Sequence, residues 1–507
     1  MSKTGTVYLV GAGPGDAGLL TLRGAELLRR AEVVIHDLLV NPELLRLAGK
    51  DCELISRGKR QDVSQADLNA LMITKARAGK CVVRLKGGDP YIFGRGGEEA
   101  EALAAAQVAF EVVPGVSSIS AAPNYAGIPL THRDHTSNFT VFTGHEGDGK
   151  SGSALDFDQI ARISGTKVIL MGVTHLRELT RALLARGMSP ETPVAIVRWG
   201  TMPRQKTVAG ALGNIEQLAA NQQITPPALT VIGDVVKLRR KLNWFEHRPL
   251  SGRRIVVTRA HDQAAEFSNR LTELGAEVLE IPCIKIVPPT QLSFIADALL
   301  ELNAYDWLVF TSPNGVTAFF DFFFKAFHDL RDIGGVRIAA VGPGTAAKLT
   351  ELHLQVDLMP GEALAAKIAG AFAKFESMDN LRICLPRAEV ANPELPQALE
   401  ALGAIVDDIP CYKTVAETED ATGDAARLLE GGADWITFTS ASTVEHFHAR
   451  FDLPALLKTF SHSKLASIGP ETSKAIRALG LETGVEAKQH TIEGLTLALS
   501  KSAGRKT

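Results

Sequence analysis

Cysteine is scarce in this chain, and long apolar stretches are absent from it. The five cysteines among 507 residues are scattered, with no CxxC pair and no histidines at ligand spacing. We therefore expect reduced structural thiols and no metal site. No apolar run is long enough to span a bilayer, so no membrane partner is expected. The start, MSKTGTVYLVGAGPG, lacks the charged region, apolar core and cleavage site of a secretory signal, which predicts a cytoplasmic location.

A surplus of charge is also missing. The 54 Lys and Arg against 57 Asp and Glu give a formal net charge of -3. Such a balance creates no bulk field that would attract nucleic acid or an anionic membrane, so neither is an expected partner. A polyanionic small molecule is not excluded, but its site would need a local cluster of basic side chains.

Short β-branched runs alternate with Ala/Leu-rich stretches along the whole sequence. VYLV at 7–10, CVVRL at 81–85 and KVILM at 167–171 are examples of these runs. The alternation predicts an α/β fold with largely parallel sheets, and the length predicts about three domains. The pattern breaks at 243–252, NWFEHRPLSG, and RRIVVTRA then begins a new strand, which places a domain boundary there.

The second part of the sequence contains an internal repeat. Four segments recur in the same order: RIVVTRA at 254–260 as RICLPRA at 382–388, EIPCIKIV at 280–287 as DIPCYKTV at 408–415, DWLVFTSPNGV at 306–316 as DWITFTSASTV at 434–444, and RIAAVGPGTAAKL at 337–349 as KLASIGPETSKAI at 464–476. The spacing between the copies is almost constant. Two copies are too few for a solenoid. They predict a two-lobed unit with a ligand-binding cleft between the lobes.

The first half carries glycine-rich turns. VGAGPGD at 10–16 lies between a predicted strand and helix, where free backbone N–H groups can approach a ligand. A dinucleotide site needs G-x-G-x-x-G, whereas here Pro14 removes a donor and Asp16 would repel phosphate. A tight turn without a ligand is an equal interpretation of this motif alone.

Two further stretches favour a ligand site: VVRLKGGDPYIFGRGGEEAEAL at 82–103 and VVPGVSSISAAPNYAGIPLTHRD at 112–134. The Gly-Gly-Asp turn of the former lets backbone approach a ligand, while its carboxylate can accept hydrogen bonds from a ribose or an amine. The small residues of the latter suit close packing around an inserted ligand, and its His132-Arg133 can meet carboxylates.

VGAGPGDAGLLTL, VVRLKGGDPYIFGRGGEE, VPGVSS, GIPLTHRD, FTGH and RRKLNWF occur in this order. Together they resemble the uroporphyrinogen-III C-methyltransferases of the tetrapyrrole methylase family, over about residues 5–246. The resemblance implies a cleft between two α/β lobes that holds S-adenosylmethionine, and a homodimer formed through this half. It implies cofactor contacts for Pro14, Gly87, Gly88, Asp89, Ile92, Ser117, Ser118, Met171 and Gly200.

The same resemblance implies two catalytic residues. Asp37, in VVIHDLLV, occupies the position of the family's proposed proton acceptor, and Lys59, in RGKR, that of its proposed proton donor. Methylation of a pyrrole carbon requires alignment and the removal of a proton, which a carboxylate can accept. Helix capping by Asp37 and a solvated loop charge at Lys59 are the alternative interpretations. After GKR the chain runs QDVSQADLN, a shorter loop without the family's His, which affects substrate or product handling rather than the cofactor site.

The implied substrate carries carboxylates around its ring, which calls for Arg and Lys at the rim of the cleft. The candidates near the motifs are Arg23, Arg60, Lys86, Arg95 and Arg133. We take Arg95 and Arg133 as the substrate-binding residues.

In the second half, each copy of the repeat contains an FTS strand end and a Gly-Pro-x-Thr turn. TSPNGV, VGPGTA, IPCYKT and SIGPET, with the duplicated layout, resemble uroporphyrinogen-III synthase over about residues 252–500. By this resemblance Tyr412 is a possible acid or proton relay, and the carboxylate binders are Ser312, Thr345, Ser440 and Thr472. Turn or cap chemistry is an equal interpretation for each hydroxyl.

Arg259 and Arg387 occupy the same position in the two copies of the repeat. They either bind carboxylates or are surface charges at strand ends, and the sequence favours neither interpretation.

These assignments predict an α/β protein in which a two-lobed tetrapyrrole methylase fold precedes a two-lobed, internally duplicated synthase fold. We expect a methyltransferase over 1–246, a linker over 247–251 and a synthase over 252–507. In the synthase, one lobe spans about 252–284 and 412–500, and the other about 286–410.

The expected reactions are closure of hydroxymethylbilane to uroporphyrinogen III and two S-adenosylmethionine-dependent methylations that give precorrin-2, which feeds siroheme and cobalamin synthesis. Ring closure with inversion of one ring depends mainly on conformational confinement. Two alternatives stay open: a methylase that acts on another corrinoid, and a second half that only binds tetrapyrroles.

Overall fold

The structure, a computed structural model, describes residues 4–57, 64–144, 156–361, 365–420 and 422–503. Within these ranges, no helix is both long and apolar enough to cross a membrane. The strands form four five-stranded sheets, two in each half of the chain. A layered α/β architecture, as predicted, is therefore confirmed.

The first sheet is entirely parallel. Its strands are β1 (Val7–Gly11), β2 (Val33–His36), β3 (Glu53–Ser56), β4 (Val82–Lys86) and β5 (Phe110–Val113). The helices of this part are α1 (Leu22–Arg30), α2 (Gln65–Arg77), α3 (Gly96–Ala105) and α4 (Ser118–Tyr125). The strand order is β3-β2-β4-β1-β5. Since β1 lies between β4 and β5, the glycine-rich segments that follow these three strands share one edge of the sheet.

The second sheet is mixed, which differs from the predicted parallel arrangement. Its strands are β6 (Phe139–Thr143), β7 (Thr166–Leu170), β8 (Pro193–Arg198), β9 (Lys206–Ala211) and β10 (Ala228–Ile232). The helices are α5 (Phe157–Arg162), α6 (Leu176–Ala185), α7 (Ile215–Asn221) and α8 (Arg239–Leu242). In the order β6-β7-β10-β8-β9, only β6 and β7 run parallel. A short loop joins β8 directly to β9, and such a connection permits only antiparallel pairing.

The second half contains ten strands. They are β11 (Arg254–Val257), β12 (Glu277–Glu280), β13 (Ile284–Val287), β14 (Trp307–Phe310), β15 (Arg337–Ala340), β16 (Arg382–Ala388), β17 (Ile405–Ala416), β18 (Trp435–Phe438), β19 (Lys464–Ser467) and β20 (Val485–Glu486). The third sheet has the order β12-β11-β18-β19-β20 and the fourth β13-β17-β16-β14-β15. All pairs are parallel except β13 with β17.

Helices cover both faces of these two sheets. They are α9 (His261–Glu273), α10 (Ser293–Leu300), α11 (Pro313–Ala326), α12 (Pro343–Glu351), α13 (Ala365–Phe375), α14 (Glu394–Glu400), α15 (Asp424–Gly431), α16 (Ala441–Phe451), α17 (Leu453–Thr459), α18 (Pro470–Ala478) and α19 (Ile492–Ala503). Two apolar clusters flank the third sheet and two flank the fourth. This burial explains why most strands lack polar alternation.

The internal repeat is visible in the sheets. Because the spacing between the two copies is nearly constant, each strand of the first copy corresponds to one of the second. In order, β11, β12, β14 and β15 correspond to β16, β17, β18 and β19. The order β12-β11-β18-β19 in the third sheet therefore equals β17-β16-β14-β15 in the fourth. Each sheet takes two of these strands from either copy, so a lobe is assembled from parts of both copies.

The two halves of the chain pack against each other. Leu250 is fully buried with Phe267 and Leu271 of α9, and its N–H donates to the carbonyl of Leu274. Further contacts are an ion pair of 2.8 Å between Arg46 Nη1 and Glu280 Oε2, and hydrogen bonds from Arg248 Nη1 to the carbonyls of Thr272 and Glu273. The segment after residue 246 is thus anchored to the second half.

Candidate active sites

Three glycine-rich segments meet at the carboxyl edge of the first sheet. The N–H of Gly88 donates to the carbonyl of Gly13 at 2.7 Å, and the N–H of Gly13 donates back at 3.3 Å. A Cβ on Gly115 would lie 2.2 Å from the carbonyl oxygen of Gly88 and 2.7 Å from the Cα of Gly11. Side chains at these positions would separate the segments, so the glycines allow three turns to form one surface.

A cavity of about 1450 Å³ lies beside these turns, between the first and second sheets, and extends to the second half of the chain. Its lining includes eleven of the residues predicted from the sequence: Pro14, Asp37, Gly87, Gly88, Asp89, Ile92, Arg95, Ser117, Ser118, Met171 and Gly200. All nine predicted cofactor contacts are thus brought together around one space.

Residues with unusual backbone conformations also line this cavity. Of the ten non-glycine residues with positive φ in the described part of the chain, half line it: Phe93, Arg95, Met171, Trp199 and Thr201. Positive φ is unfavourable for residues with a Cβ and concentrates at functional sites. The cavity is therefore the place where the first half stores most of its backbone strain.

Asp89 organises the second glycine turn rather than facing the cavity with unpaired oxygens. Its Oδ1 accepts from the N–H of Tyr91 at 2.8 Å, and its Oδ2 accepts from the N–H of Gly115 at 3.0 Å. Ser117 begins α4 as its N-cap and accepts from the N–H of Ile119. Both side chains fix the turns that border the cavity, and their predicted cofactor contacts stay predictions.

Asp37 follows β2 and is held by cations at the same edge of the sheet. Its Oδ1 accepts from Arg84 Nη2 at 2.5 Å and lies 3.7 Å from Arg57 Nη1. Burial would raise the pKa of this carboxyl, but Arg84, Lys86 and Arg57 together hold it below its ordinary value. Asp37 is therefore an anion at neutral pH. The next helical turn is capped by Asn41 and not by Asp37.

Three charged side chains behind Asp37 are sealed from solvent. Arg84 and Glu99 are 0% exposed and Lys86 is 1% exposed. Glu99 accepts from Arg84 Nε at 3.0 Å and pairs with Lys86 Nζ at 2.9 Å. Removing one partner of a buried ion pair is costly, so Glu99 holds Arg84 in place, directed at Asp37.

The predicted basic rim is only partly present. Lys86 is buried because it lies two residues from Arg84 on β4, which directs both side chains to the face that Glu99 covers. Arg23 pairs with Glu26 and Glu111 on the surface. Arg133 is exposed and is not among the residues that line the cavity. Lys59 and Arg60 lie outside the described residues.

Sequence reasoning missed several charged residues of this site. Arg84, Arg57 and Glu99 act on Asp37 through contacts that only the folded chain creates. Arg204, which lines the cavity, lies over the ring of Trp199 at 3.6 Å from its centroid. Two features of the sequence could have indicated these residues. Arg84 and Lys86 occupy alternate positions of the apolar run VVRLK, and two glutamates follow FGRGG.

The second half supplies one wall of the same cavity. Ser268, Asn269 and Thr272 of α9, Glu277 of β12 and Arg427 of α15 line it. Arg427 pairs with Asp424 at 2.7 Å. The wall was not predicted, because it depends on how two separately patterned halves dock.

In the second half, the predicted hydroxyls follow strands at the carboxyl edges of the third and fourth sheets. Ser312 and Ser440 are the N-caps of α11 and α16, where they accept from Gly315 and Thr443 N–H groups. Thr345 donates to the carbonyl of Val341. Ser312 and Ser440 thus have capping roles, and the predicted binding of carboxylates stays a prediction.

Two of the predicted hydroxyls are shielded from solvent. Thr345 is 2% exposed and Thr472 is 3% exposed. A ligand would need to approach through the backbone of their Gly-Pro turns rather than through these side chains. The exposed parts of the turns are therefore better placed for binding than the threonines themselves.

Tyr412, in β17, lies beside Ser312. The two hydroxyl oxygens are 3.1 Å apart, and Tyr412 is 7% exposed. Burial raises the pKa of Tyr412, although the hydrogen bond with Ser312 opposes this shift. The tyrosine is therefore protonated at neutral pH and can donate a proton. The carboxyl edges of the two lobes meet nearby, where Gln263 of α9 donates to Asn314 of α11.

Comparisons with known proteins match each half to a family. Residues 6–216 match the tetrapyrrole (corrin/porphyrin) methylases, and residues 265–496 match uroporphyrinogen-III synthase HemD. The porphyrin biosynthesis protein HemD of Ruminiclostridium josui is 38% identical over 508 residues, covering 99% of this chain and 98% of that protein.

Matches to the first half alone are also found. The S-adenosyl-L-methionine-dependent uroporphyrinogen III methyltransferase of Methanosarcina barkeri is 49% identical over 237 residues, covering 46% of this chain and 93% of that protein. The crystal structure of uroporphyrin-III C-methyl transferase from Thermus thermophilus complexed with S-adenyl homocysteine is 40% identical. It covers 46% of this chain and 94% of that chain, with a TM-score of 0.41.

Fold and sites together define a two-part α/β enzyme, in which a glycine-lined cleft precedes a duplicated, two-lobed unit. The match along almost the full length of a relative fixes the family. The chain belongs to the tetrapyrrole methylases through its first half and to the uroporphyrinogen-III synthases through its second. It is a bifunctional enzyme of tetrapyrrole biosynthesis.

Proposed function

We propose that the second half closes hydroxymethylbilane to uroporphyrinogen III and that the first half methylates this product twice. The product is precorrin-2, a precursor for siroheme and cobalamin. The observation that carries the methylase activity is the cavity that joins nine predicted cofactor contacts to Asp37. Residues 1–246 form the methyltransferase, 247–251 the linker and 252–507 the synthase.

The cavity fits S-adenosylmethionine. A Cβ placed on Gly87 would meet one atom within 4 Å, and on Gly88 its nearest neighbours would be 4.0 Å away, so the backbone of this turn faces open space. Met171 and Ile92 offer apolar contacts, and Ser118 a hydroxyl. Bound there, S-adenosylmethionine supplies an electrophilic methyl group.

In this proposal Asp37 accepts the proton that the pyrrole loses. Among the described residues, Arg84 and Arg57 both contact Oδ1, which leaves Oδ2 to face the substrate. Arg95 and Arg133 bind substrate carboxylates, and Lys59 donates a proton. The low pKa of Asp37 keeps it ready to accept a proton at neutral pH.

In the synthase, Tyr412 donates a proton that assists loss of water from the hydroxymethyl carbon. Its contact with Ser312 directs the hydroxyl toward the carboxyl edge of the fourth sheet. The hydroxyls of Ser312 and Ser440 and the backbone of the Gly-Pro turns at Thr345 and Thr472 bind carboxylates and confine the chain of rings until it closes.

We further propose that the enzyme works in the cytoplasm as a homodimer formed through the methyltransferase half. Its five cysteines are free, and three of them are buried, which suits a reducing compartment. Light scattering of the purified chain tests the dimer.

The function is tested by incubating the purified chain anaerobically with hydroxymethylbilane, with and without S-adenosylmethionine, and resolving the products by isomer and methyl count. We expect type III product without the cofactor and a dimethylated type III product with it. Methylated type I product would show that the second half only binds tetrapyrroles.

An Asp37→Asn variant tests the assignment of the proton acceptor. The amide cannot accept the proton, so we expect the methylation rate to fall about 100-fold or more. Binding of S-adenosylhomocysteine, measured by calorimetry, should change little, and type III ring closure should persist as an internal control. A methylation rate within a few-fold of the parent would remove Asp37 from the mechanism.

A further inference from the structure

The internal repeat offers a comparison between two arginines in matching places. Arg259 of RIVVTRA matches Arg387 of RICLPRA, and Glu280, which begins EIPCIKIV, matches Asp408, which begins DIPCYKTV. The strands keep the same register, because Val257 is paired with Glu280 and Leu385 with Asp408. Equal backbone geometry would allow the same ion pair in both lobes.

The ion pair forms in only one of the lobes. In the fourth sheet, Arg387 Nε donates to Asp408 Oδ1 at 2.6 Å, its Nη2 also bonds this carboxylate, and its Nη1 donates to the carbonyl of Asn392 at 2.6 Å. With 6% of its surface exposed, Arg387 is neither a surface charge nor available to a ligand.

In the third sheet the partners are different. Glu280 pairs at 2.8 Å with Arg46, which belongs to the methyltransferase half. Arg259 Nη2 donates to Gln263 Oε1 at 3.1 Å. Among the described residues, none of the ion pairs includes Arg259. Its guanidinium therefore lacks the carboxylate that satisfies Arg387.

The position of Arg259 connects it to the cleft between the lobes. It follows β11 at the carboxyl edge of the third sheet, and its partner Gln263 donates to Asn314 of the opposite lobe. Burial lowers the pKa of Arg259, so an incoming carboxylate would relieve an unfavourable environment for the cation. A bidentate guanidinium suits a carboxylate ligand.

We propose that Arg259 binds a carboxylate of the linear tetrapyrrole in the synthase cleft, and that Arg46 keeps it available by holding Glu280 away from it. The proposal rests on the synthase function proposed above. When Arg46 is lost, Glu280 takes the arrangement that Asp408 has in the other lobe and competes with the substrate. A residue of the methyltransferase half thereby sets substrate affinity in the synthase half.

The first test measures initial rates of uroporphyrinogen III formation by the full chain without S-adenosylmethionine. Arg259→Gln should raise KM for hydroxymethylbilane about ten- to one-hundredfold, the value of a charge-assisted hydrogen bond, with a smaller change in kcat. Arg259→Lys should recover part of the loss. The control is Arg331→Gln, a change in an exposed arginine that pairs with Asp329 on the surface, and it should leave KM unchanged.

The second test examines the link between the halves and does not alter Arg259. Arg46→Gln should raise KM because it releases Glu280, and Arg46→Gln combined with Glu280→Gln should restore the parent value. Thermal melting confirms that each variant is folded.

The outcomes separate this inference from the proposed function. An Arg259→Gln variant whose KM stays within about twofold of an active parent would overturn carboxylate binding by Arg259. An unchanged KM in Arg46→Gln would overturn the competition by Glu280. A parent chain that forms no type III product would instead overturn the synthase function itself.

Discussion

The ionisation state of Asp37 depends on three cations, and Arg57 is the one that can be removed with least damage to the fold. Arg84 and Lys86 are buried, whereas the Arg57 side chain is 29% exposed and lies 3.7 Å from Asp37 Oδ1. Its positive charge favours the anionic form. Replacing it with a neutral residue therefore raises the pKa of Asp37.

We expect Arg57→Gln to move the acidic limb of the methylation pH profile to higher pH, because it removes a positive charge that lowers the pKa of Asp37. Methylation requires ionised Asp37, so activity should fall on the acidic side and be retained at higher pH. The profile of kcat/KM against pH measures the shift. Arg30→Gln, a change on an exposed face of α1, serves as the control. A profile that does not move would separate the acidic limb from Asp37.

Single residues were predictable where motifs resemble those of a known family. All nine cofactor contacts that the resemblance implies line the cavity. Arg84 and Glu99 were missed because their pairing crosses from a strand to a helix and depends on the fold. Lys86 was misplaced for the same reason: the sequence shows its charge and hides the face to which it points.

At the scale of an element, Ser440 combines two roles: it caps the start of α16, and it is predicted to bind a carboxylate. Its hydroxyl accepts from the N–H of Thr443, and the Thr443 hydroxyl lies 3.3 Å from the Ser440 nitrogen, which makes a reciprocal cap. Alanine at an N-cap costs about 1 kcal/mol, whereas glycine costs only a few tenths. Both substitutions remove the hydroxyl equally.

The two substitutions therefore separate capping from binding. We expect Ser440→Ala to lower the free energy of unfolding by about 1 kcal/mol and Ser440→Gly by less, measured by denaturant titration. If Ser440 binds a carboxylate, ring closure should weaken to the same extent in both variants. Ring-closure activity that follows stability instead would assign Ser440 to capping alone.

Whole strands and helices agree with the prediction where β-branched runs alternate with Ala/Leu-rich stretches. The repeat predicted two copies, and the shared strand order of the third and fourth sheets reflects them. The second sheet departed from the prediction because residues 199–205 join β8 to β9 without a helix. A β-branched run shows where a strand lies, and its direction depends on the length and content of the connection.

At the scale of the molecule, the docking of the two halves could not be predicted from sequence patterns. The boundary at 243–252 was visible as a break in the alternation, but nothing in the composition showed that α9 and β12 would close the methyltransferase cavity. Interfaces use the polar and apolar residues that any surface carries. Nothing in the sequence distinguishes Arg46 and Glu280 from its other arginines and glutamates. Their ion pair matters because it joins the two halves of the chain.

This docking predicts that a ligand in the methyltransferase cavity protects both halves from solvent. With S-adenosylhomocysteine bound, hydrogen exchange should slow in the Gly87–Asp89 turn and also in residues 268–280, which contribute to the wall. Local opening exposes amides to exchange, and a ligand that bridges both walls opposes that opening. Residues 396–408 hold the matching place in the repeat without touching this cavity, so their exchange should not change. Protection confined to the first half would mean that the second half does not close the cavity in solution, and the link from Arg46 to Arg259 would then lose its structural basis.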